Sequence, residues 1–358
     1  MFLCIFALCG SVPAQALSTA AAASILVDCD SGRVLYAQNE HEKRPIASIT
    51  KLMTALLVAE HSPDLGQVVT VPYEATLQIG SSMYLKAGEQ VTVEELLFGL
   101  MLASGNDAAV TLAIHLCGST ENFVTDMNAR GAEIGMKNTY FASPNGLNDE
   151  ENYSTAHDMA LLARVCAENE IVAAVVGTKS VSFGTRSFVN HNKLLWRYQG
   201  CIGMKTGYTD KAGRTLVSCA RRDARRLIAV TLHDPNDWVD HAKLLDYGFA
   251  QYQTVQLSRS GKLCRSLPVG GSILPSVLVA TDKTMFYPLA ASEVITARWK
   301  LPQSVPSPIS LGQKLGTLTY YLGETVIGQT DLVAATEVPD NRGPSRSLLQ
   351  NMLKIFRK

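Results

Sequence analysis

Two residues one helical turn apart could do nucleophilic chemistry in this chain, Ser48 and Lys51, in the stretch Pro45-Ile46-Ala47-Ser48-Ile49-Thr50-Lys51-Leu52. Ile49, Leu52, Met53, Leu56 and Leu57 recur at helical intervals, so the segment reads as a buried amphipathic helix. On such a helix Ser48 and Lys51 share a face. A lysine turned toward a core is costly as a cation. If burial lowers its pKa, the neutral amine can take the serine proton, and the N–H groups of the helix start lie where negative charge would develop. Alone, Ser-x-x-Lys is a weak signal whose usual meaning is an exposed helix start. Two further groups give it weight: Ser104-Gly105-Asn106, and Lys205-Thr206-Gly207 closing the segment Cys201-Ile202-Gly203-Met204.

The surrounding pattern predicts how these groups are held. Ser24–Val27 and Val34–Ala37 flank Asp30-Ser31-Gly32 and read as a hairpin, and a solvated charge run at 40–44 precedes the Ser48 helix. Short strands and turns fill 65–88. Thr92 and Glu95 form a capping box for a helix bearing Leu96, Leu97, Leu100 and Met101. Ser104 ends that helix, and a second runs from about Asn106 to Leu116, stopped by Gly118. Ser104 and Asn106 are therefore expected on a tight connection between helices. Further helices are expected over Phe123–Ile134 and from Thr155 to about Cys166, with a turn-rich Ser143-Pro144-Asn145-Gly146 between them. Strand patterns return at 203–206, 215–220 and 227–232, followed by a helix carrying Val239, Ala242, Leu245 and Phe249. The expected class is α+β, an antiparallel sheet closed by the N-terminal hairpin with helices packed on it.

Past about residue 253 the texture changes to short β-type runs broken by Pro and Gly, which predicts a small all-β domain. The organisation read from this is a signal peptide at 1–16, a catalytic domain at 17–253, a β-rich domain at 254–338, and a linker with an amphipathic helix at 339–358. The first segment is an apolar run followed by Ala14-Gln15-Ala16, a small-x-small cleavage pattern, although no Lys or Arg precedes the run. In the last, Leu348, Leu349, Met352, Leu353 and Phe356 share a helical face, and Arg346, Lys354, Arg357 and Lys358 have no acid nearby. That reads as a helix lying in an anionic membrane interface.

Composition bounds the rest. Hydrophobic residues make up 47% of the chain and the formal net charge is +0, so nothing draws the whole protein to nucleic acid. The seven histidines show no metal-ligand spacing, no glycine-rich phosphate loop is present, and neither a metal nor another cofactor is expected. Cys29, Cys117, Cys166, Cys201, Cys219 and Cys264 form no Cys-x-x-Cys pair and are expected to be buried free thiols. Arg221-Arg222-Asp223-Ala224-Arg225-Arg226 reads as a solvated turn between strands.

In order and spacing the three motifs resemble the penicillin-binding-protein and serine β-lactamase set. Their flanks, Ala47-Ser48-Ile49-Thr50-Lys51-Leu52-Met53-Thr54, Ser104-Gly105-Asn106-Asp107-Ala108 and Gly203-Met204-Lys205-Thr206-Gly207-Tyr208-Thr209, look like the low-molecular-mass serine D-alanyl-D-alanine carboxypeptidases. The resemblance implies a β-lactamase/transpeptidase-like fold, no cofactor, β-lactams as inhibitors, and a peptidoglycan stem peptide ending in D-Ala-D-Ala as substrate. It also implies roles: Ser48 as nucleophile, Lys51 as base and Ser104 as proton relay. Asn106 would bond the substrate amide, Lys205 and Thr206 its terminal carboxylate, and the N–H groups of Ser48 and Tyr208 the oxyanion. Gly207 would let substrate approach the strand without a Cβ in the way. The implied location is the outer face of the cytoplasmic membrane. The rival enzyme is a class A β-lactamase, which usually has Ser-Asp-Asn at the second motif and a Glu-x-x-Leu-Asn loop. This chain has Ser104-Gly105-Asn106 and Pro144-Asn145-Gly146-Leu147-Asn148, with Pro144 in place of the acid. A penicillin sensor or wall-binding scaffold without turnover is the non-enzymatic alternative.

Overall fold

The computed structural model of the chain describes residues 17–147 and 151–340. The expected signal peptide at 1–16, Asn148, and the expected tail helix at 345–358 lie outside the described residues. Two compact units divide between Gln251 and Tyr252. The texture change placed at 253 in the sequence thus falls just inside the strand Tyr252–Ser258.

The first unit is built on a five-stranded antiparallel sheet in the order Val34–Gln38, Ala23–Asp28, Arg225–Leu232, Gly213–Arg222, Cys201–Thr209. The N-terminal hairpin joins strands some two hundred residues later, with Ala23 opposite Leu232 and Asp28 opposite Leu227. Cys201–Thr209 is left as an edge strand. The strands are apolar on both sides because alternate residues serve two cores. Ile25, Val27, Val217, Cys219, Ile228 and Val230 join one hydrophobic cluster with Ile49, Leu52 and Leu56. On the other side Gly248, in the helix Asp237–Gln251, lies so near Leu26 and Leu227 that a Cβ would fall 2.8 and 2.7 Å from them.

The first helix, α1 (Lys51–His61), is entered through a 3₁₀ turn, Ala47–Thr50. Ser48 therefore sits on the tight turn and Lys51 on the first residue of the α-helix proper. Helix α2 (Val93–Leu102) is capped by Thr92, whose Oγ1 accepts from Glu95 N at 3.2 Å, and α3 (Asn106–Cys117) ends at Gly118 with φ 76°. Thr120–Ile134, Ala156–Glu168 and Asp237–Gln251 are the other helices legible in the sequence. A helix at Glu170–Gly177, a hairpin at Ser180–Phe183 and Arg186–Val189, and a helical turn at Leu194–Arg197 follow before the edge strand.

The arginine turn differs from its sequence reading. Only Asp223 and Ala224 form the bend between strands. Arg226 pairs with Asp30 and donates to Ala167 O at 3.0 Å, and Arg222 donates to Tyr198 Oη at 2.7 Å and to Asp246 at 2.6 Å. Strand register carries these side chains over neighbouring elements, which a local reading of charge cannot register.

The second unit holds a six-stranded sheet ordered Ile295–Lys300, Lys314–Leu322, Thr325–Ala334, Ser276–Thr281, Leu263–Gly270, Val305–Pro306, with Tyr252–Ser258 paired to Met285–Ala290 beside it. Its core is Leu267, Val277, Val279, Ile309, Leu318, Leu332 and Val338. Among the described residues no helix is long and apolar enough to cross a membrane. All six cysteines of the described residues are free thiols, but only Cys29, Cys166 and Cys219 are buried as expected; Cys117, at the end of α3, Cys201, at the start of the edge strand, and Cys264 are half-buried.

Candidate active site

The turn ahead of α1 brings Ser48 over Lys51. Ala47 is held at φ 48°, a left-handed conformation that costs a residue with a Cβ about 1–2 kcal/mol, and the chain then tightens into the 3₁₀ turn that carries Ser48. Lys51 is fully buried. Its Nζ lies 2.9 Å from Ser48 Oγ, 2.7 Å from Asn106 Oδ1 and 2.9 Å from the Asn145 carbonyl oxygen. The Asn106 amide is oriented by its other end, since Nδ2 donates to Ile79 O at 2.6 Å. Two of the three partners of Lys51 are therefore fixed acceptors. A neutral amine donates one N–H to each and keeps its lone pair for the hydroxyl proton of Ser48. Burial, first, and the nearby Lys205 cation, second, hold the Lys51 amine well below the usual lysine range, against the opposing pull of Asp107.

Ser104 sits on the connection between α2 and α3, and Asn106 is the first residue of α3. Ser104 is at φ 60°, and Gly105 N closes onto Gly99 O at 3.0 Å. Asp107, the next residue, ties this connection to the neighbouring loop. Its carboxylate accepts from Ser82 Oγ at 2.6 Å, Met83 N at 2.9 Å and Leu85 N at 3.0 Å. The same loop returns a carbonyl, Ser81 O, to Asn106 N at 2.8 Å. The Pro144-Asn145-Gly146 turn closes the other side. Thr54 Oγ1 donates to Pro144 O at 2.6 Å, and Gly146, at φ 84°, packs so near Ala47 O that a Cβ would fall 2.2 Å from it.

The edge strand supplies the third wall. A Cβ on Gly207 would lie 2.4 Å from Thr215 Oγ1 and 3.0 Å from Ser48 N, so only glycine lets strand and serine turn meet this closely. Thr215 Oγ1 in turn donates to Ile46 O at 3.1 Å and pins the strand pair to that turn. Lys205 is buried, its Nζ donates to Thr206 O at 2.9 Å, and burial brings its pKa down to about 7. Tyr208 is exposed, and its hydroxyl donates to Asp210 at 3.0 Å.

A cleft of ≈ 300 Å³ opens over these groups. Ser48, Ser104, Thr206, Gly207 and Tyr208 line it, with Ser81, His191, Lys193, Arg214, Asp237 and Trp238. Lys51, Asn106 and Lys205 are buried and do not line it, but Lys51 bonds Ser48 and Asn106, and Lys205 bonds Thr206. The candidate site residues of the sequence are thus gathered at one place, although three larger cavities, ≈ 500, ≈ 610 and ≈ 340 Å³, lie elsewhere and are lined by none of them. Sequence reasoning missed Arg214, which bonds Asp237 through both carboxylate oxygens at 2.9 and 2.8 Å and lies 5.4 Å from the Trp238 ring centre. It also missed Asn145, because a backbone carbonyl carries no signature in the side-chain pattern.

Comparison with known proteins gives the following. The family model described as D-alanyl-D-alanine carboxypeptidase matches residues 11–236, and the model described as penicillin-binding protein 5, C-terminal domain, matches 252–340. The chain is 33% identical over 348 residues to D-alanyl-D-alanine carboxypeptidase DacF of Bacillus subtilis, covering 90% of this chain and 87% of the relative. It is 34% identical over 337 residues to D-alanyl-D-alanine carboxypeptidase DacA of Escherichia coli, covering 88% and 83%. Among solved structures, penicillin-binding protein 5 from Haemophilus influenzae superposes with a TM-score of 0.78 at 31% identity, covering 90% of this chain and 98% of that one.

Proposed function

This chain belongs to the D-alanyl-D-alanine carboxypeptidase family, and from that premise we propose that Ser48, Lys51 and Ser104 carry its chemistry. Members of the family work through a serine acyl-enzyme and bind β-lactams, and the chain is a serine peptidase of that kind. The remaining assignments are Asn106 to the substrate's peptide amide, Lys205 and Thr206 to its terminal carboxylate, and the N–H groups of Ser48 and Tyr208 to the oxyanion. We read 17–253 as the peptidase domain and 254–338 as the small β domain. The observation that carries this reading is the environment of Lys51 Nζ, with two fixed acceptors and one hydroxyl around a buried amine.

The reaction then runs as follows. Ser48 Oγ attacks the carbonyl of the penultimate D-Ala while Lys51 Nζ takes the hydroxyl proton. The oxyanion forms against the N–H groups beside Gly207, which lies tightly against Ser48 N. The C–N bond breaks, the leaving amine takes a proton relayed through Ser104, and D-Ala departs. Water attacks the ester on Ser48 and releases the shortened peptide. The substrate's end lies along the free side of the edge strand Cys201–Thr209, where backbone groups are unpaired within the sheet. Arg214, held by Asp237 in the same cleft, adds a guanidinium on the side of Thr206 and Tyr208.

The turn at 144–146 bears on the lactamase reading. It offers carbonyls to Lys51 and Thr54 where a class A β-lactamase loop carries a carboxylate. A penicilloyl group on Ser48 should therefore persist, and β-lactams should inhibit. Purified protein with a D-Ala-D-Ala peptide tests the proposal: free D-Ala is expected, joined-peptide product would move the reading to transpeptidation, and absence of both would leave a penicillin-binding scaffold.

The charge states predict a pH profile. Lys51 must be neutral to act as base, so kcat/KM should fall on the acid side as that amine gains a proton. Lys205 must be charged to hold a carboxylate, and its pKa of about 7, brought down by burial, means that charge is lost as pH rises through that value. The alkaline limb of kcat/KM, which reports the free enzyme, should accordingly begin near neutrality. It should be shifted far to the alkaline side in Lys205→Arg, because guanidinium stays charged. A limb unmoved by that substitution would take Lys205 out of carboxylate binding.

For location, the family's peptidoglycan substrate supports a reading in which the chain is exported and peripheral at the outer face of the cytoplasmic membrane. Ser345–Lys358 as a helix would span about 21 Å, short of a roughly 30 Å hydrocarbon core. With an apolar face and the cations Arg346, Lys354, Arg357 and Lys358, it is proposed to lie in the interface of an anionic membrane.

A further inference from the structure

The second unit carries an apolar hairpin tip where polar turn residues would be ordinary. Leu263–Gly270 and Ser276–Thr281 are joined by Gly271-Ser272-Ile273-Leu274-Pro275. Ile273 is 80% exposed and Leu274 42%. The turn that presents them is well closed: Val269 N donates to Pro275 O at 2.9 Å, Leu274 N to Ser272 Oγ at 3.2 Å, and Gly271 takes φ 84°. Gly, Ser and Pro are expected in such a bend, whereas two adjacent branched aliphatics in water are not. From Gly270 to Thr281 the chain has no charged residue.

The tail leaves the unit beside this tip. Val279 lies opposite Ala334 and Thr281 opposite Leu332 in an antiparallel pair, so residues after Ala334 run back toward Ser276. Ala335 N donates to Leu278 O at 2.7 Å and Leu278 N to Thr336 Oγ1 at 3.2 Å, continuing that course. Val338 then pairs with Ile309, and the same connection holds the base of the tip through Ser307 N to Gly270 O at 2.9 Å. The segment that begins beyond Asp340 therefore starts at the end of the unit that bears Ile273 and Leu274. Glu337 and Asp340 at this root are followed by the cations Arg342, Arg346, Lys354, Arg357 and Lys358.

We propose that the Gly271–Pro275 tip is a second membrane-contact element, its Ile273 and Leu274 entering the lipid interface next to the tail. This rests on the reading of 345–358 as an interfacial helix. Two points of contact fix an orientation as well as a distance: a tail alone is a tether, while a tail and a tip rooted at one end of a rigid sheet set that end of the unit against the bilayer. The aliphatic contribution differs in kind from that of the cations, because burial of apolar area is not screened by salt.

The test uses the full chain, the Ile273→Ser/Leu274→Ser variant, and a chain lacking 345–358, floated with vesicles of phosphatidylcholine and phosphatidylglycerol. The double variant is expected to partition at least about tenfold more weakly than the unaltered chain, by loss of two buried aliphatic side chains, with the ratio kept at high salt. An Ile273→Trp chain, spared any loss of apolar character, should show fluorescence quenched by brominated lipid beyond that of the unaltered protein. Partitioning equal to that of the unaltered chain, or unquenched Trp on bound protein, overturns the tip while leaving the tail reading intact if removal of 345–358 still releases the protein. Binding undiminished by that removal overturns the tail reading instead, and the tip variant in the full chain still reports on the tip alone.

Discussion

Replacing Ser48 by alanine should abolish covalent labelling by a β-lactam and D-Ala release together, in a protein that stays folded. The two readouts should fall in step because the proposal gives both one acyl acceptor. In serine hydrolases loss of the nucleophile lowers kcat by about 10⁶-fold, which here means no measurable turnover. The fold should survive for a local reason. Ser48 is half-buried at the cleft, and its removal leaves Lys51 Nζ with Asn106 Oδ1 at 2.7 Å and Asn145 O at 2.9 Å. The amine keeps the partners it needs, so stability should move by no more than about 1 kcal/mol. Labelled penicillin with peptide mapping, beside a thermal melt, makes the check. Label retained in Ser48→Ala, or found in the unaltered protein on Ser104 or Ser81 of the same cleft, would end the assignment.

The parts of this site that repeat with a period were legible in the sequence, and the parts that depend on tertiary closure were not. Ser48 and Lys51 follow from helical spacing, and the place of Ser104 and Asn106 at the junction of two helices follows from a cap at Thr92 and a stop at Gly118. The meeting of Lys51 with Asn106, fifty-five positions apart, needs α1 and α3 packed together, which no local pattern encodes. Asn145 is harder still, since it contributes a backbone oxygen and its side chain is busy elsewhere, donating to Gln78 Oε1 at 2.9 Å. Between Cys166 and Gly203 few periodic signals are legible, for a physical reason. Asn169 ends one helix and caps the next, accepting from Val172 N at 3.0 Å, so two short helices replace the single long period that would have been read. Arg214 looks like any strand residue until the helix at Asp237 folds over it.

Lys51→Arg should cost acylation at least about 10³-fold, whereas Lys205→Arg should keep a substantial part of it, and the contrast separates a base from a cation. Both lysines are buried and both have lowered pKa values, so charge state alone does not tell them apart. Their partners do. Lys51 faces a hydroxyl and two acceptors that match a neutral amine, while the one hydrogen bond of Lys205 Nζ in the described residues goes to Thr206 O at the cleft wall. A guanidinium at position 51 has no lone pair to offer and remains protonated, so Ser48 would keep its proton. It would also place a larger, permanently charged group in a fully buried space, which is destabilising in its own right. Lys51→Met separates that effect: similar in length and uncharged, it should fold well and still fail to acylate. At position 205 the guanidinium preserves the charge that a terminal carboxylate needs, and the loss should appear mainly in KM. Second-order acylation rates with a labelled penicillin, measured across pH on the three variants, decide between these roles. Equal loss in Lys51→Arg and Lys205→Arg, or acylation that survives in Lys51→Met, would mean that the serine proton leaves by a route other than Lys51.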